Sequence, residues 1–328
     1  MKVGFLRFDQ NPTIKVRAIA YICHYHNIDF FYFQPEDVDF EKKKINGRFF
    51  INENWEYRET DFPDLIDNAP SIAKYRSFYD EMTKYVPFMC FRIGNKKKVQ
   101  NILEKDGEFS HILIETEEVE GFEKFDHFLN RMKSVILKPN GGNMGRNIIK
   151  ISKIGNDYKV ETDGEIINLS NLKKWFDEHD FRGYIQQEYV NSLSKNNLPF
   201  DIRIHVRRGL NKKWNVVKVY PRIGINQNVT SNISQGGSIS KLVGFLKNNY
   251  EDYEEIQKKL NKFARDFPPY FQKFYNYDLD ALGIDIGLDK EGNLKLFEVN
   301  TYPGSNFLDI EDSVVRVHYY HSFAKQGL

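Results

Sequence analysis

Cysteine is nearly absent: Cys23 and Cys90 are the two in 328 residues. They are too few for a disulfide framework and neither sits in a metal-ligand spacing, so both are expected as reduced, buried thiols. No apolar run reaches the ~20 residues that a membrane span requires, and Met1 to Phe8 reads as a strand start rather than a signal peptide. The expectation is a cytoplasmic protein with no membrane partner. An excess of charge of one sign is missing too. Lys and Arg number 47 against 46 Asp and Glu, a net charge of +1, which gives no reason to expect nucleic-acid binding. No internal repeat or low-complexity segment is present. No glycine-rich phosphate turn follows the first strand, where Asp9-Gln10-Asn11-Pro12 stands instead. The Gly-x-x-x-x-Gly-Lys-Ser/Thr spacing is absent, and no Ser-His-Asp or Cys-His arrangement is evident.

What the chain does have is length and apolar periodicity. Its size suits a large core in two or three subdomains, and the 15% aromatic content falls mostly in strand-like or amphipathic runs. Val3 to Phe8 and Ile28 to Phe33 read as strands around a helix over 13–27, with Ile14, Ala18, Tyr21, Ile22 and Tyr25 on one stripe. This opening predicts a small, parallel, Rossmann-like sheet that shapes a substrate cleft. Residues 71–85 read as a helix, and Lys96, Lys97 and Lys98 open another. A long helical stretch over 250–275 is expected to break at Pro268-Pro269.

Three segments carry chemistry. In Lys295 to Asn300, alternation sends Glu298 and Asn300 to one face and Phe297 and Val299 to the other. With Lys290 to Asn293 as the turn, Asp289 pairs with Leu294 and Asp285 stands opposite Glu298. Asp285, Glu298 and Asn300 then form a set of hard oxygen donors suited to Mg²⁺. The second segment is the strand-loop-strand around Lys138, Gly141, Gly142 and Gly145. Its glycines let backbone N–H groups approach a polyphosphate, with the Lys138 ammonium over the same phosphates. In the third, Asp201, Arg203, His205 and Arg207 share one strand face. That face reads either as an ordinary solvent-exposed strand or, with Arg222, as bidentate anion recognition. His205 is expected to be structural or substrate-orienting. Asn232, with Gly236 and Gly237, supplies an amide near the reacting centre. Gln187-Glu188-Tyr189-Val190 ends a strand where backbone groups can read an adenine edge.

The order of these segments resembles the ATP-grasp superfamily over roughly residues 95–310. Gln187 to Val190, Phe200 to Arg203, Thr230 to Asn232, Gly283 to Asp285 and Glu298-Val299-Asn300 with Pro303-Gly304 look like two of its branches. One is the ribosomal-protein glutamate ligases; the other is the YheC/YheD spore-coat-associated group. The resemblance implies an α/β and α+β architecture: two α+β subdomains gripping ATP, preceded by a small Rossmann-like domain. The divisions are expected as 1–93, 94–183 and 184–328. It also implies ATP with one or two Mg²⁺, and a ligase joining a carboxylate, activated as an acyl phosphate, to an amine. Lys138 and one lysine of Lys96 to Lys98, with Lys98 favoured, would hold phosphates. Glu188 and Val190 would meet adenine, Arg222 and Asn232 would steady the phosphoryl group, and Arg203 would hold the carboxylate or acyl phosphate. Substrates are expected to be small-molecule or peptide carboxylates and amines of anionic character, with a homodimer left open. The rival readings are a kinase on the same nucleotide site and a non-catalytic coat or scaffold protein.

Overall fold

The computed structural model describes residues 1–141, 147–162, 165–224, 237–304 and 307–324. A first sheet comprises β1 (Lys2–Leu6), β2 (Asp29–Phe33), β3 (Val38–Asp39), β4 (Lys44–Ile51), β5 (Asn54–Asp61) and β6 (Leu65–Asn68). Its order is β3-β4-β2-β1-β6, with β5 on β4. β1 runs parallel to β2 and to β6, as a β-α-β opening demands. Helix α1 (Ile14–Tyr25) joins β1 to β2, and α2 (Arg76–Met82) follows β6.

Helix α3 (Lys96–Asp106) leads to the second sheet. Asn95 caps its start, accepting the Lys98 N–H at 2.9 Å, and Gly107 ends it at φ 88°. The sheet is built from β7 (Thr116–Glu118), β8 (Ser134–Pro139), β9 (Ile149–Ile154), β10 (Asp157–Thr162), β11 (Glu165–Leu169) and β12 (Tyr184–Glu188). Its order is β11-β10-β9-β8-β12-β7, and α4 (Phe122–Met132) and α5 (Leu172–Asp177) supply its core with Phe125, Phe128 and Trp175.

The third sheet contains β13 (Phe200–Arg208), β14 (Trp214–Ile223), β15 (Ser238–Ile239), β16 (Ala281–Leu288) and β17 (Leu294–Asn300), in the order β15-β14-β13-β16-β17. Helices α6 (Leu242–Asn249) and α7 (Tyr253–Gln272) cover it, and α8 (Asp309–Ala324) follows β17.

Four expectations are revised. The buried face of α1 is Val16, Ile19, Ala20 and Cys23, while Ile14, Tyr21 and Tyr25 are exposed. Both stripes are apolar, so periodicity could not choose between them; packing against β1, β2 and α8 did. Helix α7 continues through Pro268-Pro269. Phe263, Phe267 and Phe271 are buried in the core there, each stabilising by roughly 2 kcal/mol, which offsets the lost helix bonds. The division at 183/184 does not hold, because β12 pairs with β8 and β7 inside the second sheet. Val99 and Leu103 of α3 likewise pack into the third sheet's core. Finally, α8 returns to the first domain, placing Val317, Tyr319 and Tyr320 in its core. Both cysteines are free and buried.

A buried ionic network fastens α8. Asp67 on β6 accepts from Arg7 (2.9 Å), Arg316 (2.5 Å) and Tyr320 (2.7 Å). Asp312 accepts from Arg207 (2.6 Å), Lys15 (2.7 Å) and His205 Nε2 (3.0 Å). The β13 face that could have met solvent is thus wholly buried, and His205 is structural. Burial pulls the His205 pKa down from 6.5 to about 4, with Asp312 opposing and Arg207 and Arg203 adding to the fall. Between those values the unfolded chain takes a proton that the folded state refuses. Stability is therefore expected to fall from pH 7 to pH 4, by on the order of 3 kcal/mol from this group. Urea midpoints across that range check it: His205→Gln should flatten the profile, and an unchanged profile would count against the assignment.

Candidate functional site

One cleft of about 1030 Å³ lies between the sheets. The strand ends of all three reach it: Lys138 and Gln187 from the second, Arg203, Arg222, Glu298 and Asn300 from the third, and Arg7 from beyond β1.

Lys138 stands on β8 beside Ile185 of β12. Its Nζ donates to Gln187 Oε1 at 2.7 Å, Gln187 Nε2 donates to Thr116 Oγ1 at 2.8 Å, and Thr116 donates to the Ile114 carbonyl. This relay fixes the direction of a buried amine. Burial pulls the Lys138 pKa down to about 8; Glu298 and Asp285 raise it in part, and Lys96 lowers it. Lys96 sits in the same cleft, its Nζ 3.2 Å from Glu298 Oε1. Its backbone is anchored because the Asn140 carbonyl after β8 accepts the Lys96 N–H and the Asn140 side chain accepts the Lys97 N–H at 3.1 Å.

The third sheet presents two arginines already held by carboxylates. Arg222 meets Asp201 with two 2.7 Å bonds and Asp285 at 2.9 Å. Arg203 meets Asp285 at 2.5 and 3.1 Å, and the two are direct cross-strand partners. Burial pushes the Asp285 carboxyl up, but Arg203 and Arg222 overcome it and hold it below its ordinary value. For Arg222, burial lowers and the Asp201 and Asp285 charges more than offset it, leaving the guanidinium raised. Gly283 makes room for this arrangement. A methyl there would stand 2.7 Å from Pro303 Cβ and 2.9 Å from an Arg203 nitrogen.

The hairpin register differs from expectation at its tip and agrees at the site. Leu288, not Asp289, pairs with Leu294, and an irregularity between Asp285 and Ile286 absorbs Phe297, so that Asp285 does stand opposite Glu298. The same irregularity turns Phe297 into the cleft, against the strict alternation expected for it, with its ring over Gly287.

The cleft therefore brings together Lys138, Gly141, Gln187, Arg203, Arg222, Glu298 and Asn300. Several expected residues lie off its lining. Lys98 is exposed in a separate hollow with Asn101 and Lys105, its stem folded over Gly94; of the three lysines it is Lys96 that lines the cleft. Glu188, Tyr189 and Val190 also lie outside the lining, and the Glu188 and Tyr189 N–H groups donate to the Glu115 and Ser134 carbonyls. Asp285 is engaged by the two arginines, so its expected role as an open metal ligand gives way to that of an arginine holder. Gly142, Gly145 and Asn232 lie outside the described residues. Among the described residues no group of three or more His, Cys, Asp or Glu is placed to hold a metal. Glu298 and Asn300 still fit Mg²⁺ in kind, since carboxylate and amide oxygens are hard donors and Mg²⁺ keeps water or phosphate in its remaining positions. Sequence reasoning did not single out Arg7, Thr116 or Arg92; the only signal for Thr116 was its place on a short strand.

A family model described as YheC/D like ATP-grasp matches residues 85–324. Two similar proteins come from Bacillus subtilis (strain 168). Endospore coat-associated protein YheD is 24% identical over 313 residues, covering 90% of this chain and 68% of that one. Endospore coat-associated protein YheC is 25% identical over 305 residues, covering 84% and 81%. Among solved structures, an N5-carboxyaminoimidazole synthase from Aspergillus clavatus, in complex with ADP, aligns with TM-score 0.59 at 12% identity. That alignment covers 98% of this chain and 76% of the other. The D-alanyl-alanine synthetase A of Vibrio cholerae aligns with TM-score 0.55 at 12% identity, covering 98% of both. At such identity these likenesses show the fold, and it is the ATP-grasp fold expected from the sequence. No helix among the described residues is long and apolar enough to cross a membrane.

Proposed function

We propose, from the premise that the chain belongs to the YheC/D like ATP-grasp family, that it is an ATP-dependent ligase. It activates a carboxylate as an acyl phosphate and joins it to an amine. The observation that carries this reading is the gathering of Lys96, Lys138, Arg203 and Arg222 around Glu298 and Asn300 in one cleft.

A carboxylate is a poor electrophile, and phosphorylation gives it a leaving group. Its oxygen attacks the γ-phosphorus, the bond to the bridging oxygen breaks, and ADP leaves. The amine nitrogen then attacks the acyl carbon, phosphate departs, and the nitrogen loses a proton to water. Negative charge spreads over the transferring group, so the protein's work is positioning and cationic support. Lys138 and Lys96 serve the nucleotide phosphates, with Gly141 lining the cleft beside them. Arg203 and Arg222, aimed by Asp285 and Asp201, serve the transferring phosphoryl and the acyl phosphate. Mg²⁺ held on Glu298 and Asn300 would neutralise phosphate charge.

Screening carboxylates for stimulated ADP release, with hydroxylamine present, tests this. Hydroxamate is the expected product; a phosphate ester instead would move the activity to hydroxyl phosphorylation. Because the free Lys138 ammonium titrates near pH 8, ADP affinity is expected to weaken as pH rises through that value, since the deprotonated amine offers phosphate no charge. Calorimetry from pH 6.5 to 9.5 reads this, about tenfold per pH unit at most. Lys138→Met should remove the dependence, and a flat wild-type profile would contradict the role given to Lys138.

A further inference from the structure

We infer that the half of the cleft walled by the first domain binds the amine substrate, and that this substrate is an amino acid with a free carboxylate and an apolar side chain. The inference rests on the ligase reading and names its second substrate class. At about 1030 Å³ the cleft lies at the upper edge of single-ligand pockets. The residues assigned to nucleotide and phosphoryl group come from α3 and from the second and third sheets. The remaining wall has a different character: Arg7, Phe8, Ile72 and Arg92 from the first domain, and Tyr302 and Phe307 from the segment after β17.

Two features of that wall point to an anionic head with an apolar body. The Arg92 guanidinium is oriented by the Ser71 carbonyl at 2.5 and 3.0 Å, yet among the described residues no carboxylate lies within ion-pairing distance of it. Arg7, by contrast, is paired with Asp67 and is buried, forming a cationic floor beside the Tyr302 ring at 5.3 Å. An oriented guanidinium without a carboxylate of its own is suited to a bidentate one from outside. In the same cleft lining, Ile72, Tyr302 and Phe307 are 40%, 39% and 50% exposed. Large apolar groups left in water along a cleft wall are ones a bound side chain would cover.

Tyr302 supplies a second, independent sign. It sits at φ 66°, in the left-handed region, two residues after Asn300. A bulky residue is seldom found there, and such strain persists where the surroundings over-determine it, commonly at ligand sites. Here Pro303, seated on Gly283, fixes the turn that brings Tyr302 to the cleft. With the head on Arg92 and the side chain on Phe8, Ile72 and Phe307, the amine is left to face the acyl phosphate at Arg203.

Saturation-transfer NMR in the presence of ADP tests the assignment, using phenylalanine, leucine, glutamate, glucuronate and phenylalaninamide as probes. Phenylalanine and leucine are expected to bind. Phenylalaninamide, which mimics a peptide N-terminus, should bind at least tenfold more weakly. Arg92→Ala should weaken phenylalanine at least tenfold with ADP affinity kept within twofold; Arg92→Lys should recover part of the loss. Phe307→Ser should weaken phenylalanine and leave ADP unchanged. Tighter binding of glutamate or glucuronate, equal binding of the amide, no effect of Arg92→Ala, or no acid bound while ADP binds would each overturn the inference. Failure of ADP itself to bind would overturn the nucleotide reading, and this inference with it.

Discussion

Glu298→Ala is expected to reduce ATP turnover by at least on the order of 10²- to 10³-fold, the usual consequence of deleting one group that organises charge in a reacting centre. Glu298 faces the cleft, stands opposite Asp285 across β16 and β17, and lies 3.2 Å from Lys96. Its loss removes the sole carboxylate proposed for Mg²⁺ on this wall and takes from Lys96 its ion pair with that carboxylate. Stability should change little, by about 1 kcal/mol, because the Glu298 side chain is 25% exposed and its ion pair is partly screened. Turnover measured against Mg²⁺ concentration, beside a thermal melt, separates the two effects. Glu298→Gln, which keeps an oxygen donor but no charge, should retain more activity at high Mg²⁺. Turnover close to wild type in the alanine variant would remove Glu298 from the reaction.

The second large effect concerns stability. Asp312→Ala is expected to destabilise the fold by about 3–5 kcal/mol, the range found when one partner of a buried ion pair is removed. Asp312 is fully buried and receives Lys15, His205, Arg207 and Arg316. Burial pushes its carboxyl up, but Arg207 and Arg316, with His205 and Lys15, overcome this and hold it well below its ordinary value. Its stabilising charge is thus fully present above pH 4 and is lost as pH falls through the depressed value. Without it, cationic groups from α1, β13 and α8 face one another with no counter-charge. A loss of this size is a large share of a typical 5–15 kcal/mol, so chemical denaturation should show an early transition. Residue α8 contacts with the first domain should be released first, readable by hydrogen exchange in Val317 to Tyr320. A change below 1 kcal/mol would mean that the network is not what holds α8.

Much of this molecule was legible beforehand, and what was not has common causes. The β-α-β opening, the strand that carries Lys138 and the Asp285–Glu298 pairing could be read because each depends on residues near in sequence or on one hairpin. The α1 face could not, since two apolar stripes compete on one helix and only the sheet and α8 decide which is covered. Nor could the choice among three adjacent lysines. All open α3, and it is the contact of Lys96 and Lys97 with Asn140 that turns Lys96 to the cleft. Asp285 read as a metal ligand because the hairpin alone exposes it; β13, 82 residues earlier in the chain, brings Arg203 against it.

The sequence by itself determined the elements, their chemical endowment and the family pattern, because alternation, capping and glycine placement act over a few residues. The tertiary structure decided which charges neutralise one another and which remain for a ligand. Ion pairing falls steeply with distance and depends on burial, and both are set by strands and helices that meet only after the chain has folded: Asp285 with Arg203, Asp312 with Lys15, and Arg92 with no carboxylate among the described residues.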